Sequence, residues 1–415
     1  MKKVLAIDMG ATSIRGILGY IENGILQLDE VMRINHKIVE VDGRKHWEWD
    51  RLISEIEKTI INYHEEIVSI GVDTWGVDFG LLNENEELVQ APLSYRDEQS
   101  QKGFEYVEKQ MPLSELFYKT GNQILSINSL FQLIAIRQLQ PQIYHQAKSL
   151  LMMPDLVNYY LTGVKKGEKT ICSTTQMFDL GLGDWNQGIL ERLELPMEIL
   201  PKIIENRTVV GTTKNSLLPN LREFDCNVIS VASHDTASAV ALTEAYRDPN
   251  VLFLSSGTWS LLGCFTEAPV LTKEAFDLSL TNETGYNGRN MCFQNITGLY
   301  LIEKLRHELE MEKGRAHNFD EITEFVQQTP AFVGFIDPMD GRFGMETDSM
   351  VRDIEEYFLE TGQSPRECKT DYYRVIYESM VLGYCELVDL LNGILGRSFK
   401  RIHVIGGGSR SDLLM

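Results

Sequence analysis

The sequence lacks the features of a membrane protein or of a protein held together by disulfides. No apolar stretch reaches the length that a membrane helix needs, and charged residues soon interrupt the apolar run that follows the initial Met-Lys-Lys. The six cysteines are scattered and form no CxxC pair, which argues against both a disulfide framework and a cysteine metal site. These absences predict a soluble, cytoplasmic globular protein without a signal peptide.

Positive charge is also scarce in this chain. Lys and Arg total 39 against 60 Asp and Glu, which gives a formal net charge of −21. Because nucleic acids and anionic membranes are polyanions, this balance opposes binding to either of them. An anionic ligand must therefore be held by local groups, such as helix N-termini, backbone amides, a metal ion or a single arginine.

The length of 415 residues and the hydrophobic content of 43% favour two or three domains. Two distant segments, 4–20 and 251–265, share one order of parts: an apolar run, a Gly/Ser/Thr turn and a second apolar run. Each predicts a hairpin that opens an α/β unit, and strands alternate with helices elsewhere in the chain. This pattern favours a duplicated protein with a cleft between its halves, although similarity this loose also arises by chance.

A polar connector separates the two halves of the sequence. Residues 246–250 read Tyr-Arg-Asp-Pro-Asn, and the Pro-Asn ending is typical of a turn. We therefore place the domain boundary here, with one domain at 1–246 and the other at 247–415.

The turn in the first hairpin carries residues that suit a phosphate. Its consecutive backbone N–H groups could hold phosphate oxygens, Arg15 adds a cation, and Asp8 ends the strand where a carboxylate could hold Mg²⁺. The turn of the second hairpin, Leu254-Ser-Ser-Gly-Thr-Trp, could clamp the same ligand from the other domain. Either turn could also be an ordinary hairpin, and only the pairing of the two favours a nucleotide site.

A third motif places an acidic residue where a strand meets a helix. An apolar strand enters a helix through Ser233-His-Asp-Thr, and such strand ends often carry catalytic groups in open α/β sheets. Asp235 could equally be a helix N-cap, so this motif leaves both roles open.

Two further segments suit a sugar and a nucleoside. Residues 71–80 combine Asp73, Gly76 and Asp78 with Trp75, and carboxylates beside an aromatic face suit sugar hydroxyl and C–H groups. A glycine-bearing hairpin with a core tryptophan is the alternative. The Gly406-Gly-Gly loop could approach the adenosine part of a nucleotide, or could simply be a flexible turn.

Taken together, these blocks resemble the FGGY carbohydrate kinases of the actin-like ATPase superfamily. The matching blocks occur in order at 7–15, 71–79, 232–240, 254–261, 294–300 and 403–408, so the resemblance covers nearly the whole chain. The blocks Asp73-Thr-Trp-Gly-Val-Asp and Ser233-His-Asp-Thr-Ala-Ser-Ala are typical of members that phosphorylate rhamnulose rather than xylulose, glycerol or gluconate.

The resemblance implies an α/β fold with two ribonuclease-H-like domains flanking a cleft that binds ATP and a sugar. It implies transfer of the γ-phosphoryl group of ATP to the 1-hydroxyl of L-rhamnulose, with Asp235 as the proton acceptor and Asp8 as the carboxylate associated with Mg²⁺. The implied ketose contacts are Gly76, His234, Thr236 and Asn295. The implied ATP contacts are Ala11, Thr12, Ser13, Ile14, Arg15, Thr258, Glu303 and Gly407.

The chain departs from this family in two places. Glu303 stands where such kinases carry a glutamine that contacts ATP, and an ionised carboxylate cannot replace an amide donor. The family also continues well beyond the Gly406 loop, so we expect the second domain to be incomplete. The alternatives are a kinase for another deoxyketose or pentulose such as L-fuculose, a non-catalytic sugar-binding protein, and an ATPase that needs no sugar.

Overall fold

A computed structural model describes residues 2–344 and 347–415 as a mixed α/β protein, as the sequence predicts. The chain forms two compact units. The first unit contains Met1–Ala241 and Thr266–Cys292, and the second contains Leu242–Phe265 and Phe293–Met415. The sequence domains 1–246 and 247–415 stay a prediction. No helix in the described ranges combines the length and the apolar character that crossing a membrane requires.

The strands follow one another along the chain with these bounds: β1 (Lys3–Met9), β2 (Ser13–Glu22), β3 (Ile25–Asn35), β4 (Ile38–Val41), β5 (Arg44–Trp47), β6 (Ile67–Thr74), β7 (Phe79–Leu82), β8 (Ser149–Met152), β9 (Gly167–Glu168), β10 (Phe178–Asp179), β11 (Asp184–Trp185), β12 (Ile203–Ile204), β13 (Val209–Thr212), β14 (Asn227–Ile229), β15 (Val251–Ser256), β16 (Trp259–Thr266), β17 (Thr281–Thr284), β18 (Asn290–Thr297) and β19 (Arg401–Ile405).

The helices have these bounds: α1 (Trp49–Tyr63), α2 (Ser100–Gln110), α3 (Leu113–Thr120), α4 (Ser129–Leu139), α5 (Pro141–Gln146), α6 (Met153–Thr162), α7 (Lys169–Cys172), α8 (Gln187–Arg192), α9 (Asp235–Val240), α10 (Lys273–Asp277), α11 (Tyr300–Lys313), α12 (Phe319–Gln328), α13 (Gly341–Gly344), α14 (Met350–Glu360) and α15 (Asp371–Leu395).

The first hairpin belongs to a six-stranded sheet with the order β13-β14-β6-β1-β2-β3. Strand β1 pairs antiparallel with β2 and parallel with β6, which confirms the predicted hairpin. Strand β14 pairs parallel with β6 on the other side. The carboxyl ends of β1, β6 and β14 therefore meet at one edge of the sheet, where open α/β sheets place their ligands.

The core of the first unit follows from the apolar spacing of its elements. In α1 the buried residues Leu52, Ile53, Ile56 and Ile60 recur at three- and four-residue intervals, which is the period of one helix face. In β1 the buried residues Leu5, Ile7 and Met9 alternate, which is the period of one sheet face. Each such buried aliphatic side chain stabilises the fold by about 1.5–3 kcal/mol.

The second predicted hairpin belongs to a five-stranded sheet with the order β17-β18-β16-β15-β19. Strand β15 pairs antiparallel with β16 and parallel with β19, which repeats the arrangement of β2, β1 and β6. Four consecutive residues of β15, Val251–Leu254, are buried, as expected for a central strand. Both predicted hairpins are thus confirmed, and each lies beside a parallel strand.

Candidate active site

In the first unit, three strand ends bring acidic residues side by side. Asp8 at the end of β1 is the register partner of Arg15 on β2 and of Asp73 on β6. An isolated parallel bridge then joins Thr74 to His234, the residue before Asp235. Because register partners point to the same side of a sheet, Arg15, Asp8 and Asp73 form one row.

The row has a distinct pattern of charge. Arg15 Nη2 lies 2.7 Å from Asp8 Oδ2, and both side chains are partly exposed. Burial raises the pKa of Asp73 well above its usual value, and the charges of Asp8 and Asp235 raise it further. These three carboxyl groups therefore interact electrostatically, and a cation beside them would be favoured.

The turn between β1 and β2 is held by its own backbone. Gly10 N donates to Ser13 O over 3.0 Å, and the Gly10 carbonyl contacts His36 Nε2 at 2.8 Å. Thr12 is exposed, while Ala11 and Ser13 are half-buried. The Ile14 side chain lies in the core, so this residue can offer a ligand only its backbone.

The loop that carries Asp235 is tied to a buried carboxylate from another element. Glu168 Oε2 accepts hydrogen bonds from the N–H groups of Thr170, Ile171 and Ser233. Thr170 Oγ1 in turn accepts from His234 N over 3.1 Å. Burial raises the pKa of Glu168 to about 7, although these donors oppose the rise. Glu168 thus positions Ser233 and His234 immediately before Asp235.

Asp235 itself is the first residue of α9, and the N-cap residue is His234. The alternative in which Asp235 is the N-cap is therefore wrong. Asp235 Oδ1 accepts from Thr236 N over 2.6 Å and from Thr236 Oγ1 over 3.3 Å. About a third of the Asp235 side chain, 35%, stays exposed. Burial raises the pKa of Asp235, while His234 and the Thr236 N–H lower it.

His234 lies between two carboxylates. Its Nδ1 is 3.0 Å from Glu283 Oε2 on β17, and its Nε2 is 3.4 Å from Asp235 Oδ1. Sequence reasoning identified His234 and Asp235 but missed Glu168 and Glu283. Neither glutamate belongs to a motif, and Glu168 is separated from Ser233 by 65 residues.

In the segment 71–80, which the sequence analysis considers for sugar binding, Gly76 and Trp75 have different surroundings. Gly76 lies beside Thr174, whose side-chain atoms would be 3.4 Å from a Cβ at this glycine. Trp75 is buried, and its ring lies 4.4 Å from the ring of Trp47. Trp75 is therefore a core residue, which agrees with the alternative of a hairpin with a core tryptophan.

Asp78 is also part of the core rather than a free acceptor. Its Oδ2 accepts from Trp47 Nε1 over 2.7 Å, from Trp75 Nε1 over 2.9 Å and from Tyr95 N over 3.2 Å. Gln132 Nε2 donates to Oδ1 over 3.0 Å. Burial raises the pKa of Asp78 to about 6 against these four donors. Asp78 holds two indole rings in place, which leaves it little capacity for a sugar hydroxyl.

In the second unit, glycines bring backbone segments into close contact. A Cβ at Gly408 would lie 2.0 Å from Ser256 Oγ, and a Cβ at Gly298 would lie 2.7 Å from Ser260 Oγ. Gly406 has φ +87° and packs against the Ser256 carbonyl. The strand-end turn of this unit is therefore lined by backbone and hydroxyl groups. Such a surface can approach a phosphate or a nucleoside closely.

The remaining predicted residues of the second unit lie on different elements. Thr258 lies in the turn between β15 and β16 and is half-buried, and Gly407 is exposed in the Gly406 loop. Gly298 N donates to Thr258 O over 3.1 Å, which joins the turn to the start of α11. Asn295 is half-buried on β18.

Glu303 lies in the first turn of α11 and is exposed. Its Oε2 is 2.9 Å from Arg306 Nη1, so a neighbouring cation partly offsets its charge. The structure therefore keeps Asp8, Ala11–Arg15, Gly76 and His234–Thr236 within the first unit and Thr258, Asn295, Glu303 and Gly407 within the second.

Two family models match this chain one after the other. Residues 3–241 match the N-terminal domain of the FGGY family of carbohydrate kinases, and residues 252–415 match its C-terminal domain. A rhamnulokinase of Bacteroides thetaiotaomicron is 37% identical over 412 residues, which cover 99% of this chain and 84% of that protein. A rhamnulokinase of Oceanobacillus iheyensis is 33% identical over 99% of this chain and 86% of that protein.

Solved structures share the fold at lower identity. The ligand-bound xylulose kinase of Lactobacillus acidophilus superposes with a TM-score of 0.76 at 16% identity, covering 100% of this chain and 83% of that one. The glycerol kinase of Plasmodium falciparum with ADP gives the same TM-score, 0.76, at 16% identity, again over 100% and 83% of the two chains. The two-domain sugar kinase fold expected from the sequence is confirmed.

Proposed function

This chain belongs to the FGGY family of carbohydrate kinases, and we propose that it transfers the γ-phosphoryl group of ATP to the 1-hydroxyl of L-rhamnulose. It is a phosphotransferase that acts on a sugar hydroxyl. The choice of sugar rests on one observation: relatives that are 33 and 37% identical over almost the whole chain are rhamnulokinases. A cytoplasmic location, where ATP is available, belongs to the same proposal.

Asp235 is the general base of the proposed reaction. Among the described residues, its contacts to Thr236 and His234 all use Oδ1, so Oδ2 can accept the proton of the sugar hydroxyl. Phosphoryl transfer depends mainly on positioning and on charge stabilisation, so a base must be held within hydrogen-bond reach of the attacking oxygen. Glu168 supplies this positioning through Ser233 and Thr170. Gly76, His234, Thr236 and Asn295 are the proposed ketose contacts.

The nucleotide side of the proposal uses both strand-end turns. Residues 11–15, Thr258, Glu303 and Gly407 are the proposed ATP contacts. The turns offer backbone N–H groups and hydroxyls, and Arg15 offers a cation in a chain whose net charge is −21. Because that net charge opposes ATP, these local donors must hold the phosphates.

Asp8 is the proposed Mg²⁺ carboxylate. Among residues 2–344 and 347–415, no group of three or more His, Cys, Asp or Glu side chains is arranged to hold a metal. Mg²⁺ does not need such a group, because it usually binds one or two carboxylates together with substrate phosphates and water. The mutual repulsion of Asp8, Asp73 and Asp235 fits a cation at this edge. Bound Mg²⁺ would neutralise charge on the transferring phosphoryl group.

A coupled ADP-release assay tests the proposed function. The sugars are L-rhamnulose, L-fuculose, D-xylulose and glycerol, each at saturating MgATP. We expect the highest kcat/KM with L-rhamnulose and negligible ADP release without sugar. A higher value with another sugar would move the substrate assignment to that sugar. Rhamnulose binding without ADP release would instead favour a non-catalytic sugar-binding protein, and sugar-independent release would favour a simple ATPase.

A further inference from the structure

Glu283 has no role in the proposed site so far, yet it makes the shortest ionic contact of His234. Glu283 lies on β17 and is 6% exposed, and its Oε2 is 3.0 Å from His234 Nδ1. Among the described residues neither of these two buried atoms has a hydrogen-bond partner, so their contact at 3.0 Å is an ion pair. The opposite ring nitrogen, Nε2, is 3.4 Å from Asp235 Oδ1. Glu283, His234 and Asp235 therefore form a continuous row that leads to the proposed base.

Four acidic residues on different elements interact electrostatically with His234. They are Glu283 on β17, Asp235 on α9, Glu168 at the end of β9 and Asp73 on β6. His234 is the partner of Glu283 in the one ion pair found for this glutamate among the described residues. A neutral imidazole would therefore leave Glu283 as a buried carboxylate without a paired cation, which is costly. An imidazolium can donate from both nitrogens and so satisfies a carboxylate on each side. The arrangement therefore favours the doubly protonated ring.

The expected protonation agrees with this geometry. Burial lowers the pKa of His234, but Glu283, Asp235 and Glu168 raise it more, and the pKa reaches about 9. The His234 charge in turn lowers the pKa of Asp235 and opposes the rise that burial causes. A charged His234 thus keeps Asp235 ionised at neutral pH, which a general base requires.

We infer that Glu283 is a positioning residue for catalysis, which holds His234 as an imidazolium so that Asp235 stays ionised and correctly oriented. The inference rests on the proposed function, because it takes Asp235 as the base. During transfer, the sugar O–H proton goes to Asp235, the sugar oxygen bonds to the γ-phosphorus, and the bond to the ADP oxygen breaks. His234 keeps both protons throughout, and Asp235 later releases its proton to water.

The first test observes the His234 charge directly and needs no activity. Histidine-ring NMR spectra of the parent chain are recorded from pH 5 to 10, and the His234 signal is assigned by its loss in His234→Gln. We expect the His234 ring to remain charged above pH 8, whereas an ordinary histidine has a pKa of about 6.5. In Glu283→Gln the ring should titrate at least one pH unit lower. Titration of the parent ring near its ordinary value would overturn the inference.

The second test links that charge to catalysis. The pH dependence of kcat/KM for L-rhamnulose is compared between the parent, Glu283→Gln and Glu283→Asp. Loss of the His234 charge raises the pKa of Asp235, so the acid limb of Glu283→Gln should move to higher pH. At pH values below both acid limbs, kcat/KM should be about tenfold lower for each pH unit of that movement, and above both limbs it should approach the parent value. Glu283→Asp retains a carboxylate and should restore part of the parent profile.

Glu267→Gln is the matched control, because Glu267 is exposed and lies in the same unit. It changes the net charge equally and should leave both the NMR titration and the acid limb unchanged. If the parent phosphorylates rhamnulose but the acid limb of Glu283→Gln does not move, the inference is overturned and the proposed function still holds.

If the parent does not phosphorylate rhamnulose, the proposed function fails. The NMR titration would then still decide whether Glu283 holds His234 in its charged form. If Glu283→Gln does not fold, the parent titration decides alone.

Discussion

The two units build the same three-stranded arrangement and place opposite chemistry at its end. In the first unit, β1 lies between antiparallel β2 and parallel β6, and the register partners at the end are charged: Asp8, Arg15 and Asp73. In the second unit, β15 lies between β16 and β19, and the corresponding partners are Ser255, Ser256, Ser260 and Ile405. The first end is rich in ionisable side chains, whereas the second offers hydroxyls and backbone.

The difference has a physical basis in how each end is packed. In the first unit, carboxylates are kept at a partly buried edge because Arg15, His234 and backbone N–H groups face them. In the second unit, Gly406 and Gly408 let the backbone of one loop pack against Ser256, where side chains would collide. One topology therefore carries charged side chains at the strand ends of one unit and allows close backbone approach in the other.

Asp235→Asn, at the charged strand ends of the first unit, should have the largest effect, which is a loss of turnover. Asparagine keeps the shape and an acceptor oxygen for Thr236 N–H, but it cannot accept the substrate proton. Turnover should fall about 10²–10⁴-fold, while sugar binding and thermal stability stay near the parent values. Asp42→Asn is the matched control, because Asp42 is exposed and its φ of +51° suits asparagine. ADP release from the Asp235 variant within a few-fold of the parent would remove Asp235 from the role of base.

Arg15→Gln should have the next largest effect, on the nucleotide rather than on the sugar. It removes the cation that pairs with Asp8 at 2.7 Å and that is proposed to contact ATP. Charge-assisted hydrogen bonds contribute about 1.5–3 kcal/mol, so the KM for ATP should rise about tenfold or more. Calorimetric rhamnulose binding should remain near the parent value. An equal loss for both ligands would indicate misfolding instead.

Gly408→Ala should disturb the close packing between the Gly406 loop and Ser256 in the second unit. A Cβ at residue 408 would lie 2.0 Å from Ser256 Oγ, so the loop or Ser256 must move. Overpacking of this kind costs about 1–3 kcal/mol of unfolding free energy, and the KM for ATP should rise as the turn shifts. Gly341→Ala is the matched control, since nothing lies within 4 Å of a Cβ at this residue, which belongs to the same unit and is not a proposed ATP contact. Equal melting temperatures for the two variants would show that the close packing is not required.

The smallest expected effect is a pH dependence of stability from Glu168, which supports the charged end. Its folded pKa of about 7 lies above the ordinary value of 4.5, so the folded chain binds more protons than the unfolded chain between these values. The contribution of Glu168 is present below pH 4.5 and is lost as the pH rises through 7.

Urea unfolding at pH 5 and pH 8 measures this effect. The parent should lose on the order of 1 kcal/mol more of unfolding free energy over this range than Glu168→Gln does. Glu205→Gln, a change at an exposed carboxylate, should behave like the parent. The same slope in the Glu168 variant and the parent would contradict the raised pKa.

Much of the site could be predicted because its residues lie in short motifs. The hairpins at 4–20 and 251–265 are visible as apolar runs around small polar turns, and those turns place Asp8 and Thr258 at strand ends. His234 and Asp235 are visible as polar residues between an apolar strand and a helix. The sequence did not separate a core role from a sugar-binding role for Trp75 and Asp78, because both roles use the same residue types.

The sequence by itself determined the α/β class, the two hairpins and the residues at their strand ends, because strand period, turn composition and helix starts depend on neighbouring residues. Only the tertiary structure decided that Asp78 accepts hydrogen bonds from the indole groups of Trp47 and Trp75. It also decided that Glu168 and Glu283 contact the loop that carries Asp235. Burial and ion pairing depend on which distant segments meet, and single acidic residues outside a motif carry no local pattern that reveals their partners.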